Sequence, residues 1–502
     1  MNTPESRPDP LSAPLLERLL AADSGAALGF HMPGHAAGRA WPPELAARLA
    51  SLDSTETPLT DDLNAPGEAL EAACRLAAEA WGAGRSWLLA GGSTLGIRTA
   101  ILAAVGRHGT IAIERGAHQA ALQTVSLLHL PFRLLPQPAA AADWQRPLPA
   151  AVDPGRLDAL LRQDPGIRAV LVTSPDYYGR IAPTQQLAAV CHRHDCLLLV
   201  DAAHGAHFAF VPGLRAHCAL RQGADLVIQS AHKTLPALTG AALLHVSREA
   251  LASGRVRTSA VNAALSLWQG SSPSLLIAAT ADWARAWMAV HAPARAAELI
   301  SAWSALAERL AARRAAAPVA GPIRLSRPAS DRDPLRFLIG CTEAGDADRL
   351  AAALLRRGIA IEFHDHRRLV LLPSFAHGAG EIRQLGDALA ELTAGPADGE
   401  DAACLVAGDR AWSGLLGREG DFACHPAELF DIPRRLLPPA ACAGAVLAAA
   451  VRPYPPGIPL LWPGERLDAA ALRDLAVLVE SGAVEGRLAL VETAPEEPRR
   501  RV

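Results

Sequence analysis

Four short apolar runs, each ending at once in small, polar or ionisable residues, limit most strongly what this chain can fold into. They are GTIAIERGAH (109–118), RAVLVTSPDYYG (168–179), CLLLVDAAHG (196–205) and ADLVIQSAHK (224–233). Runs without polar alternation suit strands covered on both faces, the signature of a mostly parallel α/β sheet. Longer stretches with helical spacing, such as PTQQLAAVCHRHD (183–195), lie between them. Ligands of such sheets bind at the carboxyl ends of the strands. Here those ends carry His118, Asp201, His204, His232 and Lys233.

A chain of 502 residues has room for two or three domains. The reading is a large domain over 1–285, a smaller α+β domain over 286–395 and a third unit over 396–502. The pattern from about 286 to 330 is alanine-rich and helical. DPLRFLIG (333–340) and HRRLVLLPSF (366–375) read as strands, and TAGPADGEDAA (393–403) as a linker.

Of the 48 lysines and arginines, 47 are arginine, and Lys233 is the single lysine. Arginine replaces lysine wherever only a solvated charge is needed, but its guanidinium does not lose its proton. A lysine amine can, and then attacks a carbonyl to form a Schiff base. Lys233 is therefore a candidate nucleophile; the plainer reading is a surface lysine left over in a chain biased towards arginine.

The net charge of −3 and the lack of a basic run argue against a nucleic-acid partner. No apolar segment approaches the roughly 18 residues of a membrane span. The opening MNTPESRPDP lacks a signal-peptide layout, and eight scattered cysteines form no CxxC pair. The expectation is a cytoplasmic protein with free thiols. The histidine pairs 31/35, 192/194, 204/207 and 364/366 form no HExxH motif, so no metal is expected.

AGGSTLGIRTAIL (90–102) reads as a loop feeding a helix N-terminus, where amides and the hydroxyls of Ser93 and Thr94 could hold a phosphate. A glycine-rich helix start is also common without any ligand. Asp201, at the end of a buried strand, could pair with a protonated ring nitrogen or simply cap the next turn. Phosphate cradle, strand-end carboxylate and lone lysine have one economical explanation in common. They are what pyridoxal 5′-phosphate requires.

The motifs then point to a family. FHMPGHAAG (30–38), TDDLNAPGEAL (60–70), AGGSTLG, ERGAHQAAL (114–122), TSPDYYG, DAAHGAHF, SAHKTLPALTG and RPYPPGIPLLWPGE (452–465) follow in order. Together they resemble the Orn/Lys/Arg decarboxylase family, in its shorter form without a wing domain. The resemblance implies an aminotransferase-like (fold type I) pyridoxal-phosphate enzyme. Lys233 would carry the cofactor, Asp201 would face its pyridine nitrogen, and His118 and Ala203 would cover its two faces. Ser93, Thr94, Ser230 and His232 would hold the phosphate, with His204 beside the ring. The family forms dimers or assemblies of dimers with the site at the subunit interface, so Ser271 or Ser272 would reach the partner's phosphate. The implied reaction is α-decarboxylation of arginine, lysine or ornithine, with Glu465 and Asp62 as candidate carboxylates for the cationic end. The plainer reading of Glu465 is a cap for the following helix.

Three positions depart from the family pattern: Ala202, Gln119 and Ala36. The alternatives are another reaction of the same cofactor, such as aminotransfer or elimination, and a non-catalytic paralogue serving as a binding or regulatory subunit.

Overall fold

The computed structural model describes residues 13–492 except 24–27, 58, 139–143, 146–151, 317–322, 343–345, 393–401 and 454–456. Most of the expected linker at 393–403, and part of the motif at 452–465, therefore lie outside the described residues.

A seven-stranded sheet forms the centre. Its strands are β1 (Arg85–Leu89), β2 (Thr110–Glu114), β3 (Phe132–Leu135), β4 (Ile167–Thr173), β5 (Leu197–Asp201), β6 (Leu226–Ser230) and β7 (Ala242–Val246). The spatial order is β1-β7-β6-β5-β4-β2-β3. Only β7 runs antiparallel to its neighbours; the other pairs are parallel. The unbroken apolar runs have a direct physical cause, seen in β5. Leu197 and Leu199 enter the core on one face, with Ile97 and Ile101. Leu198 and Val200 enter the core on the other, with Val170 and Leu187. Successive side chains point to opposite faces, so a strand covered twice needs apolar residues at every position. The covering helices include α1 (Gly92–Val105), α2 (Gln119–Leu128) and α3 (Thr184–Arg193). A one-turn helix, α4 (Ala231–Thr234), follows β6 directly.

A single helix, α5 (Leu275–Ala316), runs across the expected boundary at 285/286. It leads to a second sheet of β8 (Ile323–Leu325), β9 (Phe337–Cys341), β10 (Phe363–His364) and β11 (Arg368–Leu371). These strands are antiparallel in the order β10-β11-β9-β8. Here the structure corrects the helical reading of 286–330: β8 is a strand. Pro318, Gly321 and Pro322 stand between it and α5 in the sequence, and two prolines and a glycine within five residues disfavour further helix. Trp303 of α5 stacks on Phe337 of β9, with ring centroids 4.2 Å apart, joining helix and sheet.

The N-terminal segment is also tied here: the short strand Leu28–Phe30 pairs in parallel with Ile359–Ile361. At the other end, α6 (Ala402–Leu416) packs on α7 (Ala469–Glu480), beside an antiparallel pair, β12 (Arg434–Leu437) and β13 (Leu488–Val491). This unit docks on the large sheet. Trp462, fully buried, stacks on Phe132 of β3 with centroids 5.4 Å apart.

Candidate active site

The ionisable residues converge where β5 and β6 end. Asp201 is the last residue of β5, and its Oδ1 accepts the Ala203 N–H at 3.0 Å. Ala203 is itself buried. Ser230 ends β6, and α4 then carries His232 and Lys233. The N-terminal FHMPGH segment clamps this turn. Gly34 N–H donates to the His232 carbonyl at 2.8 Å, and Trp41 Nε1–H to the Pro236 carbonyl at 2.7 Å. Gly34 has no side chain for a reason: a Cβ there would lie 2.5 Å from the Leu235 carbonyl oxygen.

Lys233 Nζ lies 3.2 Å from His204 Nε2, and His204 Nδ1 lies 3.2 Å from an Arg336 guanidinium nitrogen. Tyr177 packs edge-on against the His204 ring and donates its hydroxyl to Glu362 at 2.6 Å. Glu362 also accepts the Met32 N–H at 2.9 Å. Burial lowers the Lys233 amine below its usual pKa; Asp201 and Glu362 oppose that shift, and Arg336 adds to it. Burial likewise lowers His118, His204 and His232. His118 caps α2, its Nδ1 accepting the Ala120 N–H at 3.2 Å, and is close enough to feel the charges of Asp201 and Lys233. The cluster is thus a half-buried amine among neutral imidazoles with one carboxylate at the strand end.

Ser93 and Thr94 sit in the first turn of α1. The Gly92 N–H bonds the Gly240 carbonyl at 2.7 Å, and His232 Nδ1 bonds the adjacent Ala241 carbonyl at 2.9 Å. Ser230, paired across the sheet with Ala242 next to these carbonyls, has a buried hydroxyl without a hydrogen-bond partner among the described residues. A buried donor without an acceptor beside a helix N-terminus fits the oxygens of a phosphate. The residues present therefore suit pyridoxal phosphate: a donor-lined phosphate end, a carboxylate and a half-buried amine.

The remaining expected residues lie elsewhere. Ser271 and Ser272 are exposed, and Ser272 Oγ donates to Glu56 at 3.0 Å, a residue of the N-terminal segment. Asp62 closes a turn by accepting the Asn64 N–H at 2.8 Å. Glu465 is neither a helix cap nor open to a substrate. Its carboxylate oxygens lie 2.7 and 2.6 Å from one Arg115 nitrogen, and Oε1 accepts the Trp462 N–H at 2.6 Å. Asp468 caps α7 instead, through the Ala471 N–H. A carboxylate taken out of water needs a partner, and Arg115 is as deeply buried as Glu465.

Arg336, Glu362 and Tyr177 were not among the expected site residues. Tyr177 lies in the TSPDYYG motif, Arg336 lies in DPLRFLIG, read only as an apolar strand, and Glu362 falls between the segments singled out. A charged residue at the edge of a strand that is otherwise buried was the one available signal. One strand away, Glu114 accepts the Thr173 N–H at 2.7 Å and a Gln137 amide N–H at 2.9 Å. Burial pushes its carboxyl up to about 7.

The chain is similar to known proteins over most of its length. The Orn/Lys/Arg decarboxylase major-domain model matches residues 13–317, and the C-terminal domain model of the same family matches 435–483. An uncharacterized protein of Bacillus subtilis, YaaO, is 27% identical over 96% of this chain and 98% of its own length. The arginine decarboxylase of the same organism is 27% identical over 87% of each chain. Among solved structures, the constitutive lysine decarboxylase of E. coli superposes with a TM-score of 0.71 at 17% identity, over 96% of this chain and 82% of that one. A serine palmitoyltransferase from Sphingomonas wittichii, over 76% of this chain and 98% of its own, reaches 0.54 at 16% identity, a likeness of fold. With the family models covering well over half its length, the chain belongs to the Orn/Lys/Arg decarboxylase family.

Proposed function

We propose that this protein is a pyridoxal-phosphate-dependent α-decarboxylase that converts a basic amino acid (arginine, lysine or ornithine) to its amine and CO₂. The observation that carries the reading is the chain's single lysine, half-buried at the end of the parallel sheet with Asp201 and three imidazoles around it.

Bound pyridoxal phosphate would supply an electron sink for the bond broken at the substrate Cα. Lys233 Nζ would be its covalent anchor. The Asp201 carboxylate would hold the proton on the pyridine nitrogen, with the Ala203 N–H fixing the orientation of Oδ1. His118 and Ala203 would enclose the ring and exclude water. Ser93, Thr94, Ser230 and His232 would bind the phosphate, and His204 would lie beside the ring. Loss of CO₂ leaves Cα needing one proton, which His232 Nε2 or Lys233 Nζ would deliver. The Ala241 carbonyl accepts the Nδ1–H of His232, which leaves Nε2 as the bare nitrogen of the neutral ring, so His232 would deliver that proton only after Nε2 had first taken one up. The proposal includes a cytoplasmic homodimer, or an assembly of dimers, in which Ser271 or Ser272 reaches the phosphate of the partner protomer. Their exposure in the single chain leaves them open for that role.

A second reading, aminotransfer, has one observation in its favour. Arg336 is a buried guanidinium beside Lys233 with Nε and Nη1 lacking hydrogen-bond partners, a group suited to a substrate carboxylate. A decarboxylase gains instead by leaving that carboxylate poorly solvated. One experiment separates the two. Purified protein is incubated with pyridoxal phosphate and arginine, lysine, ornithine and a wider amino-acid panel, and products are read by mass spectrometry against Lys233→Ala. An amine lighter than one substrate by CO₂, absent from the variant, is expected; keto acids would replace the decarboxylase reading with aminotransfer.

A further inference from the structure

Arg336, His204 and Lys233 form a line of three nitrogens with 3.2 Å at each step. A guanidinium has only N–H donors and no acceptor. His204 Nδ1 must therefore be the acceptor in its bond to Arg336, and the proton of the neutral ring must sit on Nε2. That Nε2–H points at Lys233 Nζ. An ammonium has no lone pair and cannot accept a hydrogen bond, whereas a free amine can. We infer that Arg336 is a positioning residue: by fixing the tautomer of His204 it makes that ring a donor to Lys233, holding Nζ unprotonated with its remaining protons and lone pair directed by the site.

The surroundings agree. His204 is buried and held neutral by that burial, with Lys233, Arg336, His118 and His232 all disfavouring a charge on it. The ring is held edge-on by Tyr177, whose hydroxyl is fixed by Glu362, so it has little freedom to rotate away. Two carboxylates, Asp201 and Glu362, act on Lys233 in the opposite sense, favouring its charged form. Without the donated proton from His204, Nε2 would become an acceptor and these carboxylates would win. Arg336 reaches the ring from the start of β9, so the small sheet contributes directly to the state of a lysine on the large one.

The inference rests on Lys233 being the reactive lysine proposed above, yet it can be tested without turnover. Because the chain holds one lysine, the amine can be titrated chemically with little background. Cofactor-free protein is pulse-labelled with acetic anhydride across pH, and the Lys233 peptide is compared with the N-terminal amine by mass spectrometry. His204→Phe leaves the Arg336 charge in place but removes the donor, and should move the labelling midpoint up by about one pH unit, a tenfold loss of free amine at a given pH. His204→Gln, whose amide still donates, should recover most of the shift. Arg336→Met should raise the midpoint too, in part by removing a nearby charge, and the double variant with His204→Phe should fall clearly short of the sum of the two single shifts, since the remainder acts through one ring. An unshifted His204→Phe, or additive shifts in the double variant, would overturn the inference and leave Arg336 as a simple nearby charge. If the labelling shifts as expected while the amino-acid panel gives no amine, the positioning role stands and the proposed function falls.

Discussion

Replacing Glu465 with glutamine decides whether this residue belongs to the substrate or to the architecture. Its carboxylate and the Arg115 guanidinium have side-chain exposures of 2% and 0%. Removing the negative charge leaves Arg115 buried with only the Leu460 and Arg418 carbonyls as acceptors, at 3.2 and 3.3 Å. Breaking one half of a buried ion pair costs about 3–5 kcal/mol. The Trp462 N–H keeps an amide oxygen to bond, so the loss is confined to the charge. Because Glu465 and Trp462 seat the C-terminal unit against β2 and β3, the cost should appear as local undocking. Hydrogen exchange read by mass spectrometry over residues 457–467 should quicken roughly 10²–10⁴-fold, while peptides from β5 and β6 change little. Arg115→Met combined with Glu465→Leu removes both charges and should return protection close to the wild-type level. Unaltered exchange in Glu465→Gln, together with a raised KM for one basic amino acid, would refute the reasoning and return Glu465 to the substrate.

Three further outcomes are expected. Ser230→Ala removes a buried hydroxyl without a partner, so the cofactor-free protein should be no less stable in urea, while pyridoxal phosphate binds about tenfold more weakly, one hydrogen bond of roughly 1.4 kcal/mol; equal binding by equilibrium dialysis would remove Ser230 from the phosphate site. Glu114 has its folded pKa raised from 4.5 to about 7, so the folded state holds its proton where the unfolded chain releases it, and stability falls as pH rises through that window. Glu114→Gln should flatten this part of the stability–pH curve, measured by urea unfolding at several pH values; an unchanged slope would rule out the assignment. Gly34→Ala places a methyl 2.5 Å from the Leu235 carbonyl, which should displace the Lys233 turn and slow borohydride-trapped loading of the cofactor, and loading at the wild-type rate would show that the turn does not depend on this close approach.

What was legible in the sequence was what strand geometry makes local. A residue at the end of an apolar run is also at the rim of a parallel sheet, so Asp201, Ser230, His232 and Lys233 could be grouped without knowing how the strands were ordered. The four apolar runs became β2, β4, β5 and β6. Strands β1, β3 and β7 were not singled out, because their few apolar residues sit in stretches rich in alanine and leucine that suit a helix equally. Lys233 stood out by scarcity, a signal that needs no structure at all.

The ion pair of Glu465 was illegible for the opposite reason. A carboxylate before a helical stretch looks the same whether it is open to solvent or closed on a cation, and its cation lies 350 positions away in the chain. The same separation hid Arg336, which is 132 positions from His204, and Glu362, which is 185 from Tyr177. Each of these pairings forms only when the small sheet or the C-terminal unit closes on the large one, and such closure leaves no local pattern in the chain. The residues proposed to hold the cofactor therefore sit in compact motifs, while Arg336, proposed to set the protonation of Lys233, comes from a separate unit. Mutation of Arg336, just before β9 and far from any motif, should accordingly alter the chemistry of Lys233 more than substitutions at Ala202 or Gln119 inside the motifs. Ala202 is buried within the large-sheet core and Gln119 begins α2, and neither is bonded to the amine, whereas Arg336 is one ring away from it.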